Sequence, residues 1–192
     1  MIAIVKYNAG NIMSVQNALN RLGFESVITN DTKELKKADK VIFPGVGEAG
    51  SAMSFLKEKN LDKTIISLEQ PVLGICLGLQ LLCKHTEESD TECLGIFDAN
   101  VRRFPPVDKI PHIGWNNFLS VGGSLFNGIS LDDDVYYVHS YYAEISSYTT
   151  AKCKYILPFS ASMNKNNFYA TQFHPEKSCG AGEKILLNFL RL

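Results

Sequence analysis

Cys76, His174 and Glu176 carry the clearest chemical signal in this 192-residue chain. Cys76 stands in Gly74-Ile75-Cys76-Leu77-Gly78, where an apolar strand is followed at once by an apolar helix. Glycines two residues before and after a nucleophile let a sharp strand-to-helix turn approach its neighbours without a Cβ clash. Such a turn presents the thiol beside a helix N-terminus, where the thiolate is favoured, and makes the N–H of Leu77 an oxyanion donor. A thiolate nucleophile needs a base, and the base needs an orienter. His174-Pro175-Glu176 supplies both: the proline disfavours helix at His174, and in an extended chain residues i and i+2 share a face. Pro44-Gly45-Val46-Gly47 follows another strand. It reads either as a backbone anion site or as a plain strand-to-helix loop.

These residues need a frame to bring them together. The pattern predicts strands over 2–7, 24–29, 40–43 and 71–75, alternating with helices capped at Asn11 and at Asp31 or Thr32, then over 49–59, 61–68 and 77–83. Alternation of this kind means parallel strands with right-handed crossovers and helices on both faces. From about residue 94 shorter strand-like runs (99–104, 135–139, 151–157, 168–173) lie between turn-rich stretches. A last helix is expected over 181–190. The expected fold class is α/β: an open, mostly parallel sheet with helices on both faces and added antiparallel strands, in a single domain over 1–192. In such sheets sites form at the carboxyl ends of strands, where Cys76 and the Pro44–Gly47 run both fall.

Composition narrows the rest. With 19 Lys and Arg against 20 Asp and Glu the net charge is -1, which argues against nucleic acid or an anionic membrane as the main partner. No apolar run approaches the roughly 18 residues needed to span a bilayer, and the first residues lack a signal-peptide pattern, so the expected location is cytoplasmic. Five cysteines without a CxxC pair, and four scattered histidines, suggest reduced thiols and no metal site. Cys83, two helical turns beyond Cys76, reads as core. Cys93, Cys153 and Cys179 lack any comparable setting. His85 reads as structural.

Gly74–Leu82 (GICLGLQLL) with Gln172–Ser178 (QFHPEKS) resembles the class I, triad-type glutamine amidotransferases. Tyr7–Asn11 (YNAGN), Pro111–Asn116 (PHIGWN), Val138–Tyr142 (VHSYY), PGVG and the closing Asn188-Phe189-Leu190 narrow the resemblance to the glutaminase subunits of imidazole glycerol phosphate synthase, over essentially the whole chain. The resemblance implies that Cys76 attacks the side-chain amide of L-glutamine, with His174 as base then acid and Glu176 as its orienter. It implies a mobile oxyanion strand at Gly45, Val46 and Gly47 acting with Leu77. It places glutamine against Gln80, Glu88 and the backbone of Ser140 and Tyr141, although Gln80 and Glu88 also fit a solvated surface. It assigns Asn11, Trp115, Tyr136 and Lys177 to an interface with a (β/α)8-barrel cyclase subunit that uses the ammonia; Trp115 fits core packing equally. His112 and His139 lie in the matching motifs and read as structural. Leu79 stands where many relatives have Met, and residues 151–167 match no motif. No cofactor is implied. The resemblance also implies that activity is low until the partner binds and the PGVG strand turns. Two alternatives stay open: a paralogous glutaminase feeding another synthase, such as one that aminates a sugar, and a non-catalytic regulatory subunit.

Overall fold

The computed structural model describes all 192 residues. Its first half alternates as the pattern requires: β1 (Ile2–Val5), α1 (Ile12–Arg21), β2 (Ser26–Thr29), α2 (Thr32–Lys37), β3 (Lys40–Gly45), α3 (Ala49–Glu58), α4 (Leu61–Ile66), β4 (Val72–Cys76) and α5 (Leu77–Leu82). Then come β5 (His85–Thr86), β6 (Thr91–Glu92), β7 (Asn100–Arg103), β8 (His112–Asn116), β9 (Ser120–Val121), β10 (Val135–His139), β11 (Tyr141–Ala143), β12 (Thr149–Lys154), β13 (Pro158–Lys165), β14 (Phe168–Thr171) and α6 (Cys179–Leu190). The main sheet has the order β2-β1-β3-β4-β14-β13-β12-β9. Its first five strands are parallel and the remaining pairings antiparallel. A β8–β10 ribbon and a four-stranded sheet, β11-β7-β5-β6, complete the structure. No helix is long and apolar enough to cross a membrane.

Strand pleating sorts the core. Ala3 and Val5 of β1 join Val41, Phe43 and the apolar faces of α2 to α5 on one side. Ile2 and Ile4 join Ile42, Leu73 and residues Val15, Leu19, Ile185 and Phe189 of α1 and α6 on the other. Strands covered on both faces read as continuous apolar runs, as β1, β3 and β4 do, whereas β2 is a half-buried edge strand. Asp31 caps α2, accepting from the N–H groups of Lys33 and Glu34, and Glu48 caps α3 through Gly50 and Ser51. Asn11 departs from expectation: it precedes α1 in a left-handed conformation (φ 72°) and makes no side-chain cap.

Besides the two-residue strands, three lie where none was expected. β8 turns His112 inward and exposes Ile113 and Trp115, an inverted polarity that hides a strand from pattern reading. β11 follows β10 after one residue, and β13 is buried with small polar residues, Ser160 and Ser162, among its core positions. The strand expected over 151–157 ends at Lys154 and pairs with β13, so the motif-free stretch 151–167 is a structural hairpin arm. The sheet places Gly45 opposite Cys76 and Ile75 opposite Thr171, so β3, β4 and β14 end together beneath one site.

Candidate active site

Cys76 ends β4 with φ 54° and ψ −106°. A non-glycine residue in this region is strained and persists only where its surroundings impose it. Those surroundings are the flanking glycines. A Cβ on Gly78 would lie 1.9 Å from the Phe43 carbonyl oxygen, and one on Gly74 would lie 2.7 Å from Leu82 Cδ1 and 3.0 Å from the Gly78 backbone. The elbow expected from the spacing is present, although the helix behind it, six residues long, is short. The Cys76 sulfur contacts the Val138 carbonyl at 3.9 Å and receives the Gln172 side-chain amide at 3.6 Å.

His174 follows β14 and is fully buried. Its Nδ1 lies 2.7 Å from Glu176 Oε1. The local geometry differs from the expected extended pair: His174 is extended (φ −96°, ψ 95°), but Pro175–Lys177 form a single 3₁₀ turn that curls the carboxylate back under the ring. Gly182 admits this turn, since a Cβ there would lie 2.0 Å from the Pro175 carbonyl oxygen. Nε2 has no partner in ordinary hydrogen-bond geometry, yet the Cys76 sulfur is close enough to act on it. Burial opposes a charge on His174, but its interactions with the Cys76 sulfur and the Glu176 carboxylate together outweigh it and push the ring up to about 10. The site thus favours the charged form of the His174 ring. Asn11 Nδ2 donates to the same Glu176 oxygen; the side chain expected to cap α1 is committed to the carboxylate instead.

A cavity of about 280 Å³ opens over Cys76. It is lined by Val46, Gly47, Leu77, Gln80, Glu88, Ser140 and Tyr141, all expected at the site, and by Pro111, Val138 and His139. Gly45 lies beneath it in β3, and the Val46 carbonyl accepts from Gly10 N–H at 3.2 Å. Glu88 accepts from Ala49 N–H at 2.9 Å; burial raises its carboxyl above the usual range, against that hydrogen bond and with the Glu48 charge adding. Gln80 is buried, so the surface alternative fails for it. Its amide nitrogen donates to the Tyr141 carbonyl (3.0 Å) and to Gln172 Oε1 (3.1 Å).

The four residues assigned to an interface gather at one end of the site. Trp115 is 52% exposed, which excludes core packing. Its ring meets Tyr136 edge-on at 5.9 Å, and Lys177 Nζ stands 5.9 Å from the Tyr136 ring centroid. Asn11 reaches the same corner through Glu176. Ile113 and Met13 are also exposed.

Sequence reasoning passed over three residues. Gln172 bridges Gln80 and Cys76. Ser178 accepts from Tyr136 N–H (2.9 Å) and donates to the His174 carbonyl (2.6 Å), tying the turn to β10. Tyr7 is buried with an unpartnered hydroxyl that occupies the space of a Gly45 Cβ, 2.1 Å from that position. Gln172 and Ser178 flank the FHPEK run and had no signal beyond that adjacency. Cys83 and Cys153 are buried, and His85 pairs with Asp90 at 2.9 Å. No group of three His, Cys, Asp or Glu side chains is placed to hold a metal ion.

A doubly covered parallel sheet with a strained cysteine elbow and a buried His–Glu pair defines the class I glutamine amidotransferases. The family model described as Glutamine amidotransferase class-I matches residues 3–192. Imidazole glycerol phosphate synthase subunit HisH of Bacteroides fragilis (strain YCH46) is 58% identical, with 100% of this chain and 99% of that protein covered. The HisH subunit of Bacteroides thetaiotaomicron is 56% identical over the same shares, and HisH 2 of Legionella pneumophila subsp. pneumophila 44%, over 100% and 98%. Among solved structures, a glutamine amidotransferase superposes with a TM-score of 0.76 at 17% identity, covering 100% of this chain and 98% of that one. A glutamine amidotransferase from Thermotoga maritima gives 0.66 at 18%, covering 99% and 82%; these two support the fold. The chain belongs to the class I glutamine amidotransferases, in the branch of the imidazole glycerol phosphate synthase HisH subunits.

Proposed function

We propose that this chain hydrolyses L-glutamine to glutamate and ammonia through Cys76, His174 and Glu176, as one glutaminase unit over 1–192, in the cytoplasm. The Cys76 thiolate attacks the side-chain amide carbon and a C–S bond forms. The oxyanion so created is held by the N–H of Leu77 and by the Gly45-Val46-Gly47 strand once it turns. The His174 imidazolium gives its proton to the departing nitrogen; the C–N bond breaks and ammonia leaves. Water then gives a proton to His174 and attacks the glutamyl thioester, and the C–S bond breaks to release glutamate. Glu176, steadied by Asn11, holds the tautomer and orientation of the ring throughout. Glu88 faces the substrate ammonium and the Ser140–Tyr141 backbone its carboxylate, with Gln80 bracing that wall.

The ammonia passes to a (β/α)8-barrel cyclase subunit docked over Asn11, Trp115, Tyr136 and Lys177, which makes imidazole glycerol phosphate in histidine biosynthesis. The hydrogen bond from Gly10 to the Val46 carbonyl holds the oxyanion strand in its resting orientation, so turnover rises when the partner and its ligand release it. The observation that carries the reading is the 2.7 Å His174–Glu176 pair set against the Cys76 elbow on the cavity floor. The test is glutamate release with and without the candidate cyclase, for the wild type and Cys76→Ala. Partner-stimulated release that disappears in Cys76→Ala is expected. Activity surviving that change would refute the nucleophile, and full activity without a partner would refute the gating.

A further inference from the structure

Two buried histidines are unused by the triad. His112 on β8 and His139 at the end of β10 face one another across the ladder, only 3% and 6% exposed. His139 Nδ1 lies 2.7 Å from the Tyr141 carbonyl oxygen, which can only accept, so that nitrogen carries the proton. Burial holds both rings neutral: it pushes His112 down to about 4, and His139 to about 3 with the charges of His112 and His174 adding against the Tyr141 carbonyl. A neutral His139 leaves Nε2 as acceptor, and His112 Nδ1 stands 3.1 Å away as its donor. His112 Nε2 must then accept, and Asn116 Nδ2 lies 3.3 Å from it with a second bond to the Lys154 carbonyl at 3.0 Å. Every proton has one place, and the chain of bonds runs one way, from Asn116 to Tyr141. The His112 ring is fixed by stacking on Tyr137 (4.8 Å) and Tyr155 (4.2 Å).

The chain ends on the cavity wall. The Tyr141 carbonyl takes a second bond from Gln80, and the Ser140 carbonyl accepts from Phe104 N–H at 3.0 Å. With these bonds in place neither carbonyl can swing into the cavity, where its negative end would repel a substrate carboxylate. We propose that the Asn116–His112–His139 chain is a positioning element for the substrate: it locks the Ser140–Tyr141 segment in the conformation that accepts the α-carboxylate of an amino-acid amide, and so sets affinity rather than chemistry at Cys76. This inference rests on the glutamine reading above.

The experiment uses the complex reconstituted with its cyclase and compares the wild type with His112→Phe, which keeps the stacking but removes both ring nitrogens, and His112→Asn, which restores a donor toward His139. Two readouts are taken: KM and kcat for glutamine, and the rates at which Cys76 is alkylated by iodoacetamide and by an electrophilic α-amino acid shaped like glutamine. In His112→Phe the KM is expected to rise about tenfold, the scale of one buried hydrogen bond, with kcat nearly unchanged. Labelling by the amino acid should slow while labelling by iodoacetamide does not, and His112→Asn should recover part of the KM. Should His112→Phe fail to fold, Asn116→Leu removes the far end of the chain and is expected to give a smaller rise in KM. A fall in kcat at constant KM, or equal slowing by both alkylating agents, overturns the proposal. Failure of the amino-acid electrophile to label even the wild type, while iodoacetamide does, overturns the glutamine reading beneath it.

Discussion

Lowering the pH from 7 to 5 probes the neutrality of the histidine pair directly. In the unfolded chain His112 and His139 titrate near 6.5; in the folded protein burial, the largest influence, holds them at about 4 and about 3. Between these values the unfolded state binds more protons, so stability rises with pH and is lost as the pH falls below about 6.5. At pH 5 the unfolded rings are nearly all charged and the folded rings nearly all neutral. The loss therefore depends on the unfolded value and hardly on how far the folded values are depressed. Each ring contributes about 1.4 kcal/mol per pH unit over roughly 1.5 units, so the two together remove about 4 kcal/mol. His174, raised to about 10, works the other way: its contribution is complete only below 6.5, which returns about 1 kcal/mol. A net loss of about 3 kcal/mol is a large share of an ordinary domain's 5–15 kcal/mol. Urea unfolding at pH 7, 6 and 5, followed by far-UV circular dichroism, measures it. His112→Phe removes one of the two titrating rings, about 2 kcal/mol of the loss, and should cut the net pH dependence to about 1 kcal/mol. A flat profile between pH 7 and 5, or an undiminished slope in His112→Phe, would show that the rings titrate normally in the folded protein, and the reasoning would fail.

Gly78→Ala drives a Cβ to within 1.9 Å of the Phe43 carbonyl oxygen, so overpacking should remove about 1–3 kcal/mol and lower kcat by shifting the elbow; an unchanged Tm would show that the contact relaxes freely. Tyr7→Phe deletes a buried hydroxyl that has no partner and should raise stability by about 1 kcal/mol; calorimetry showing a loss would mean the hydroxyl is bonded. Asn11→Gly keeps the left-handed backbone available but removes the amide on Glu176. Stability should change little, while kcat falls by about tenfold as the orienting carboxylate loosens; a large fall in Tm with normal kcat would return Asn11 to a helix-stabilising role.

The chemistry was more legible than the architecture around it. The elbow could be read because glycine spacing and a strand-to-helix switch are local signals, and Gly78 against Phe43 is the contact that the spacing encodes. The His174–Glu176 pairing was also local, though a 3₁₀ turn rather than an extended chain makes it. What stayed hidden depends on distant partners. β8 exposes Ile113 and Trp115 and buries His112, so its alternation has the opposite sense to that of an ordinary half-buried strand. β13 buries Ser160 and Ser162, which is affordable only because their hydroxyls donate to the carbonyls of Glu144 and Ala170. Asn11 has a cap residue's identity, but its side chain serves a carboxylate 165 residues away.

The place of β14 in the sheet has a consequence for how the protein is made. It is the last strand in the chain, yet it lies between β4 and β13, joining the parallel half to the antiparallel half. Until it inserts, β4 has an open edge on one side, and Cys76 has neither His174 nor the amide of Gln172 beside it. A ribosome therefore makes the chain through β14 before Cys76 gains His174 and Gln172 as neighbours. Pairings this far apart in sequence form late in folding. Completion of the sheet and assembly of the buried surroundings of the Cys76 sulfur are one event.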